Sequence, residues 1–234
     1  ADLLITDATA GTASIDAEAT AGALLMSATS TMSSSGTAAT ARLKAGTSVT
    51  VGDISLAAGA VSITAGTSIL DADALVSSAN DPSQDITAVS LRLNAGTVIA
   101  DSVNHLETTV GTLTASSAGS VYLLEADDLT VGSVAVSVNR VGSAAGVSTV
   151  SDAAQADVRT SANGSIVLRS TAGSLTLTDG NTDGVVLSAN GSGNVLLSTS
   201  TGSLAVNANV SSGTGHIIGI KAKTIHFSSQ LDII

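Results

Sequence analysis

The chain is predicted to be all-β: a single-domain parallel β-helix (β-solenoid) over residues 1–234, with about 20 residues per coil. Three observations point there. A phrase of glycine, a small residue and then apolar-x-apolar recurs at Gly164 (GSIVL), Gly173 (GSLTL), Gly193 (GNVLL) and Gly202 (GSLAV). A period accompanies it, because Ala45-Gly46-Thr47-Ser48-Val49 returns as Ala65-Gly66-Thr67-Ser68-Ile69, an offset of 20. Finally, 44% of the residues are hydrophobic but only 1% are aromatic.

Each observation has a physical reading. Glycine turns a corner because positive φ costs it nothing, and the residues after it form a short strand whose alternate side chains point inward. A strand that short buries its apolar face only when another copy stacks on it. Compact cores use aromatics to fill volume; a thin core of Ala, Val, Leu and Ile, repeated coil after coil, does not need them. A chain rich in Ser, Gly and Thr is also a candidate for disorder, but the regular Val/Ile/Leu pairs and a mean hydropathy of +0.45 count against that. The single proline, Pro82, suits a chain of hydrogen-bonded strands.

Along the chain, residues 1–41 are the least regular. Leu3–Ile5 and Gly22–Met26 read as strands and Thr29–Gly36 as a loop, while Ala13–Met26 also has a helix-favouring composition. The AGT phrase returns at Ala95, 30 residues after Ala65, and an inserted loop at 77–86 (SSANDPSQDI) accounts for the excess. A second phrase, Val-Gly-small-apolar, occurs at Val51, Val110 and Val131, and Val51 and Val131 are 80 apart, four periods. The closing segment echoes at 29 residues instead, Gly164 to Gly193 and Gly173 to Gly202. Eleven or twelve coils and a rod of about 55 Å follow from ~4.8 Å per coil.

The net charge is −11, which argues against nucleic-acid partners. The absence of cysteine removes disulfides and thiolate metal sites. No apolar run is long enough for a transmembrane helix. Residue 1 is Ala and no leader is visible, so either a leader has been removed or the chain is a piece of a longer one.

The stretches Gly111–Val138 (GTLTASSAGSVYLLEADDLTVGSVAVSV) and Asn163–Ile217 (NGSIVLRSTAGSLTLTDG to VVLSANGSGNVLLSTSTGSLAVNANVSSGTGHI) resemble the β-strand repeats of giant bacterial exoproteins, similar to filamentous-haemagglutinin-type adhesins. The resemblance covers roughly Ala45 to Ile217. It implies secretion to the cell surface, a right-handed coil, and a role as a surface fibre or adhesin stalk.

Several residue groups invite a chemical reading. Asp179-Gly180-Asn181-Thr182-Asp183-Gly184 matches the start of a calcium loop, with Asp179, Asn181 and Asp183 as oxygen ligands, although the twelfth position is Asn190 rather than Glu. Its plainer reading is a polar turn. Calcium is the one cofactor that the sequence suggests. Asp71 with Asp73, and Glu125 with Asp127 and Asp128, are acidic spots of the sort a polysaccharide lyase or hydrolase uses, but they lack basic or aromatic partners and read as solvated turns. His105, His216 and His226 read as surface or coil-edge residues, and Tyr122 and Phe227 are too few for a sugar-stacking platform.

No enzyme is expected. The ends carry the functional expectation: Leu3, Leu4 and Ile5 at one, Ile225, Phe227, Leu231 and Ile233 at the other, apolar and without caps. Open coils call for a partner, so the chain is expected to form an end-to-end homopolymer, an extracellular structural filament. An adhesin stalk recognising a glycan or partner cell is the alternative, and a β-helix carbohydrate enzyme the remote one.

Overall fold

Short apolar-x-apolar phrases separated by Gly/Ser corners produce strands of three to thirteen residues, and these pair in parallel with their equivalents one coil away. The computed structural model describes residues 1–73, 83–214 and 216–228. Pro82, Leu231, Ile233 and most of the expected 77–86 insertion lie outside them. No helix occurs among the described residues, so Ala13–Met26 takes the strand alternative.

The first coil holds β1 (Leu3–Thr9) and β2 (Ile15–Ala19), the second β3 (Leu24–Ser33) and β4 (Thr40–Ala45), and the third β5 (Val49–Val51) and β6 (Asp53–Ala65). The fourth holds β7 (Ile69–Asp71) and β8 (Ile86–Ala95), and the fifth Ile99 and β9 (Leu106–Ser117). The sixth holds β10 (Val121–Glu125) and β11 (Leu129–Val131), then departs into a hairpin, β12 (Ser133–Val141) and β13 (Val147–Ala156), and resumes at β14 (Val158–Thr160). The seventh has β15 (Ile166–Ser170), β16 (Leu175–Leu177) and β17 (Val185–Ser188). The eighth has β18 (Val195–Thr199), β19 (Ser203–Val206) and β20 (Asn209–Ser211), and the ninth β21 (Ile218–Lys221) and β22 (Thr224–Phe227).

One column of inward side chains counts the levels: Leu3, Leu24, Val49, Ile69, Ile99, Val121, Ile166, Val195, Ile218. There are nine, not eleven or twelve, and the stack is about 40 Å long at ~4.8 Å per level. The uniform period of 20 fails for a simple reason. Val49 and Ile69 are 20 apart, but Leu24 and Val49 are 25 apart and Ile166 and Val195 are 29 apart. Corners are surface loops and vary in length at little cost, whereas the strands must keep register. The first 41 residues are as regular as the rest, and Thr29–Ser33, expected as loop, completes β3.

The core is a continuous strip of Ala, Val, Leu and Ile, with Met26 and Met32. The recurrent glycines serve it differently from the expectation. Among the described glycines, positive φ is confined to Gly11, Gly184 and Gly191. Gly46, Gly66, Gly96, Gly119, Gly164 and Gly193 instead form a ladder of close approaches: a Cβ on any of them would sit under 3.0 Å from backbone one coil below.

The hairpin is the larger departure. The Val131 phrase, expected as another rung, leaves the solenoid after Val131 and returns antiparallel. It lies along the axis and packs across β2, β4, β6, β8 and β9. Beneath it runs a column of outward polar residues, Asp16, Arg42, Ser62, Arg92 and Thr114. Buried Arg42 donates to Asp16 and Glu18 at 3.1 Å each and to Asp152 of the hairpin at 3.0 Å. Arg140 of the hairpin also pairs with Asp16 and Glu18. A buried guanidinium shared by three carboxylates is costly to remove, because it leaves those charges uncompensated. Arg42→Ala should therefore lose about 3 kcal/mol of unfolding free energy, read from the midpoint shift in urea.

Candidate functional site

The two ends of the solenoid are built from opposite features. At the first coil, β1 pairs only with β3 and β2 only with β4. At the far end, β20, β21 and β22 pair with β17, β18 and β19. Among the described residues, the ladder of strand pairs therefore stops at β1 and β2 on one side and at β21 and β22 on the other. Leu3 and Ile5 pack against the core from its edge, while Leu4 points outward and is 68% exposed.

Ile225 and Phe227 say more. Ile225 continues the column Leu129, Leu175, Leu204, and Phe227 the column Val131, Leu177, Val206, all of them buried. Yet Ile225 is 40% exposed and Phe227 49%. They point along core columns that stop, among the described residues, at their own level. Adding a coil there would remove apolar surface from water at ~25 cal/mol per Å², roughly 1–2 kcal/mol for each side chain.

Charge also separates the ends. The first 41 residues carry Asp2, Asp7, Asp16 and Glu18 and no Lys or Arg. Between Gly184 and Gln230 there is no acid, Asp232 lying beyond the described residues, while the last described coil bears exposed Lys221 and Lys223. Arg42 and Arg140 compensate Asp16 and Glu18, which leaves Asp2 and Asp7 to mark the first end.

The loop expected to hold calcium is closed by its own hydrogen bonds. Asp179 accepts the amides of Asn181 at 3.0 Å, Thr182 at 2.7 Å and Gly184 at 2.6 Å. Asn181 accepts the Asp183 amide at 3.1 Å. A residue that the sequence did not flag, Asp157, joins Asp179 and Asp183 with carboxylate oxygens within 4.8 Å of one another. Arg159 bridges Asp157 at 3.0 Å and Asp183 at 2.7 Å, so a guanidinium supplies positive charge to the cluster. The Val185 amide, Asn181 and Arg159 hold Asp183 below the ordinary carboxylate range, and at Asp179 partial burial is outweighed by the amides of Gly184, Asn181 and Thr182, which hold it there too.

The second acidic group is Asp71, Asp73 and Asp85. Asp71 accepts the Asp73 amide at 2.7 Å and Asp73 accepts the Ser83 hydroxyl at 2.6 Å. Asp85 is buried and accepts the Glu107 amide at 2.8 Å. Asp53, Asp85 and Glu107 stand at equivalent positions on three successive levels. Burial, then the neighbouring charge of Asp71, pushes Asp85 up to about 10, so it is neutral at ordinary pH. Burial also raises Asp53.

Glu125 corrects the expectation of solvated turns. It is 1% exposed and accepts the Thr108 hydroxyl at 2.7 Å and the Val110 amide at 3.0 Å, while Asp127 and Asp128 stay at the turn. His105 is likewise buried rather than superficial, its ring 5.5 Å from that of Tyr122, and burial lowers its pKa. His216 and His226 are exposed. Two signals were available in advance: Asp85 and Glu107 each precede a strand position that faces the core, and Arg42 sits between inward residues of β4. The hairpin that covers Arg42 had no such signal.

No helix of the described residues is long and apolar enough to cross a membrane. No family model, curated protein or solved structure matches the chain.

Proposed function

We propose that this chain is a structural element of an extended β-solenoid filament, a subunit or segment that stacks head to tail, first coil onto last. The observation that carries it is the pair of ends: among the described residues, core columns stop at both, with Asp2 and Asp7 at one and Lys221 and Lys223 at the other. A parallel solenoid is polar along its axis, so such a contact is heterologous and propagates instead of closing. Continuing the register would set Leu3 on Ile218 and Ile5 on Ile220. Placement on a bacterial surface, outside the cell, rests on the resemblance of the repeats to giant exoproteins. A purely structural, non-catalytic role agrees with acids that are bonded within turns or buried.

Electron microscopy with sedimentation tests the proposal. The purified 234-residue chain is expected to form long uniform filaments. The double variant Ile225→Asp, Phe227→Asp should remain as single short rods with an unchanged β-rich circular dichroism spectrum. A wild-type chain that stays monomeric at high concentration, or a double variant that polymerises as well, would refute it.

A further inference from the structure

We infer that Lys221 of one copy pairs with Asp7 of the next, and that this ion pair fixes the rotation at which two copies stack. The inference rests on the head-to-tail reading above and adds to it the setting of the joint and a charge that governs assembly.

Strand register carries each position from one end of the solenoid to the other. One outward column begins at Asp7, runs through Asp53, Asp85 and Glu107, and ends with Arg169 and Lys221. Its acids fall in the first five levels and its bases in the last three. Asp7 and Lys221 are both exposed. Asp7 accepts the Thr31 hydroxyl at 2.9 Å through Oδ1, and its Oδ2 has no partner among the described residues. Lys221 makes no ion pair among them either.

A second side of the coil gives the same setting. A core column begins at Ile15, passes Ala41, Leu113 and Leu177, and ends at Phe227. Ile15 packs against the core from its edge, and Phe227 is half exposed. A further coil in register therefore sets Ile15 on Phe227 and Asp7 on Lys221 together. Adjacent levels lie ~4.8 Å apart, within reach of an ammonium and a carboxylate. Arg169 stands three levels, ~14 Å, from Asp7 of the next copy, beyond the screening length of about 10 Å at 0.1 M salt. The electrostatic key on this column is thus a single pair. Other settings lack it. Turning the second copy onto another side of the coil separates the two residues, and stacking like ends brings together two acid-bearing or two lysine-bearing coils.

Neither side chain enters the core, so both can be reversed. Lys221→Glu and Asp7→Lys each set like charges face to face across the joint. Each variant should keep the wild-type circular dichroism spectrum and raise the critical concentration for filament assembly at least threefold at low salt, the scale of a surface ion pair turned into a repulsion. The difference should close in about 1 M salt, where the screening length is about 3 Å. An equimolar mixture of the two variants should assemble at the wild-type concentration with the copies alternating. The reversed residue of each then faces the reversed residue of the other, and unchanged Lys221 faces unchanged Asp7. Variants that assemble singly at the wild-type concentration, or a mixture that assembles no better than either alone, overturn the ion pair and leave head-to-tail stacking standing. A wild type that never assembles overturns both.

Discussion

Replacing Gly66 with alanine should lower the unfolding free energy by about 3 kcal/mol and the melting temperature by roughly 6–12 °C, whereas Gly146→Ala should leave both unchanged. The difference is not one of backbone conformation, since neither glycine has positive φ. A Cβ on Gly66 would meet the Gly46 carbonyl oxygen well inside 3.0 Å, and the Gly96 position would in turn press on Gly66. Carbonyl oxygens held in a parallel ladder cannot step aside singly. Relief requires the coils to move apart, which weakens the flanking bonds from the Gly66 amide to Ala45 and from the Gly96 amide to Ala65, each 3.0 Å long. At Gly146 nothing lies within 4 Å of the added methyl. Thermal denaturation of the two variants reads the contrast, and equal stability would refute the ladder as the reason for the glycines.

That contrast also shows what was legible in the sequence. The AGT phrase at Ala45, Ala65 and Ala95 located the ladder correctly because stacked positions must repeat when every level meets the same backbone one step below. The physical reason was assigned to corner dihedrals, since a sequence shows a glycine but not what approaches it. Inward and outward alternation predicted Leu3, Ile5, Ile225 and Phe227 as strand residues at the ends, and register then revealed the last two as interrupted core columns. The hairpin was hidden because Ser133–Val138 alternates as a solenoid rung does; only the return strand, 147–156, which is polar, distinguishes the two. Arg42 looked like one of a few scattered bases, and its three carboxylate partners come from 24, 26 and 110 residues away in sequence. Such pairings depend on the path of the chain, which short repeats leave undetermined.

Stability should fall as pH rises from about 4.5 toward 8, the reverse of what an acidic surface protein with bonded turn carboxylates would show. The groups responsible are Glu125 and Asp85. Burial pushes Glu125 up to about 8, outweighing the Thr108 hydroxyl and Val110 amide that favour its ionised form. Burial and the charge of Asp71 push Asp85 higher still. For a carboxyl whose folded pKa is raised, the folded state holds the proton more tightly than the unfolded chain does. Its stabilisation is therefore complete below the unfolded value, 4.5 for Glu, and is lost as pH climbs to the folded one, at about 1.4 kcal/mol per pH unit for each group. Glu125 alone then removes about 3 kcal/mol between pH 4.5 and 7. Asp16 and Glu18 act with the opposite sign: Arg140 and Arg42 hold both below the ordinary range, against the burial of Asp16, so their contribution is present above the unfolded pKa and disappears on acidification below it. Together these groups place the stability maximum near pH 4–5, on the acid side of neutrality. Glu125→Gln keeps an acceptor for the Val110 amide and offers a donor to Thr108 without a charge to bury. It should be more stable than the wild type at pH 8 and show a shallower slope from pH 5 to 8 in urea unfolding, with the residual slope reduced again in Asp85→Asn. A wild type that gains stability between pH 5 and 8, or a Glu125→Gln variant with the wild-type slope, would mean that these carboxyls are ionised in the folded chain.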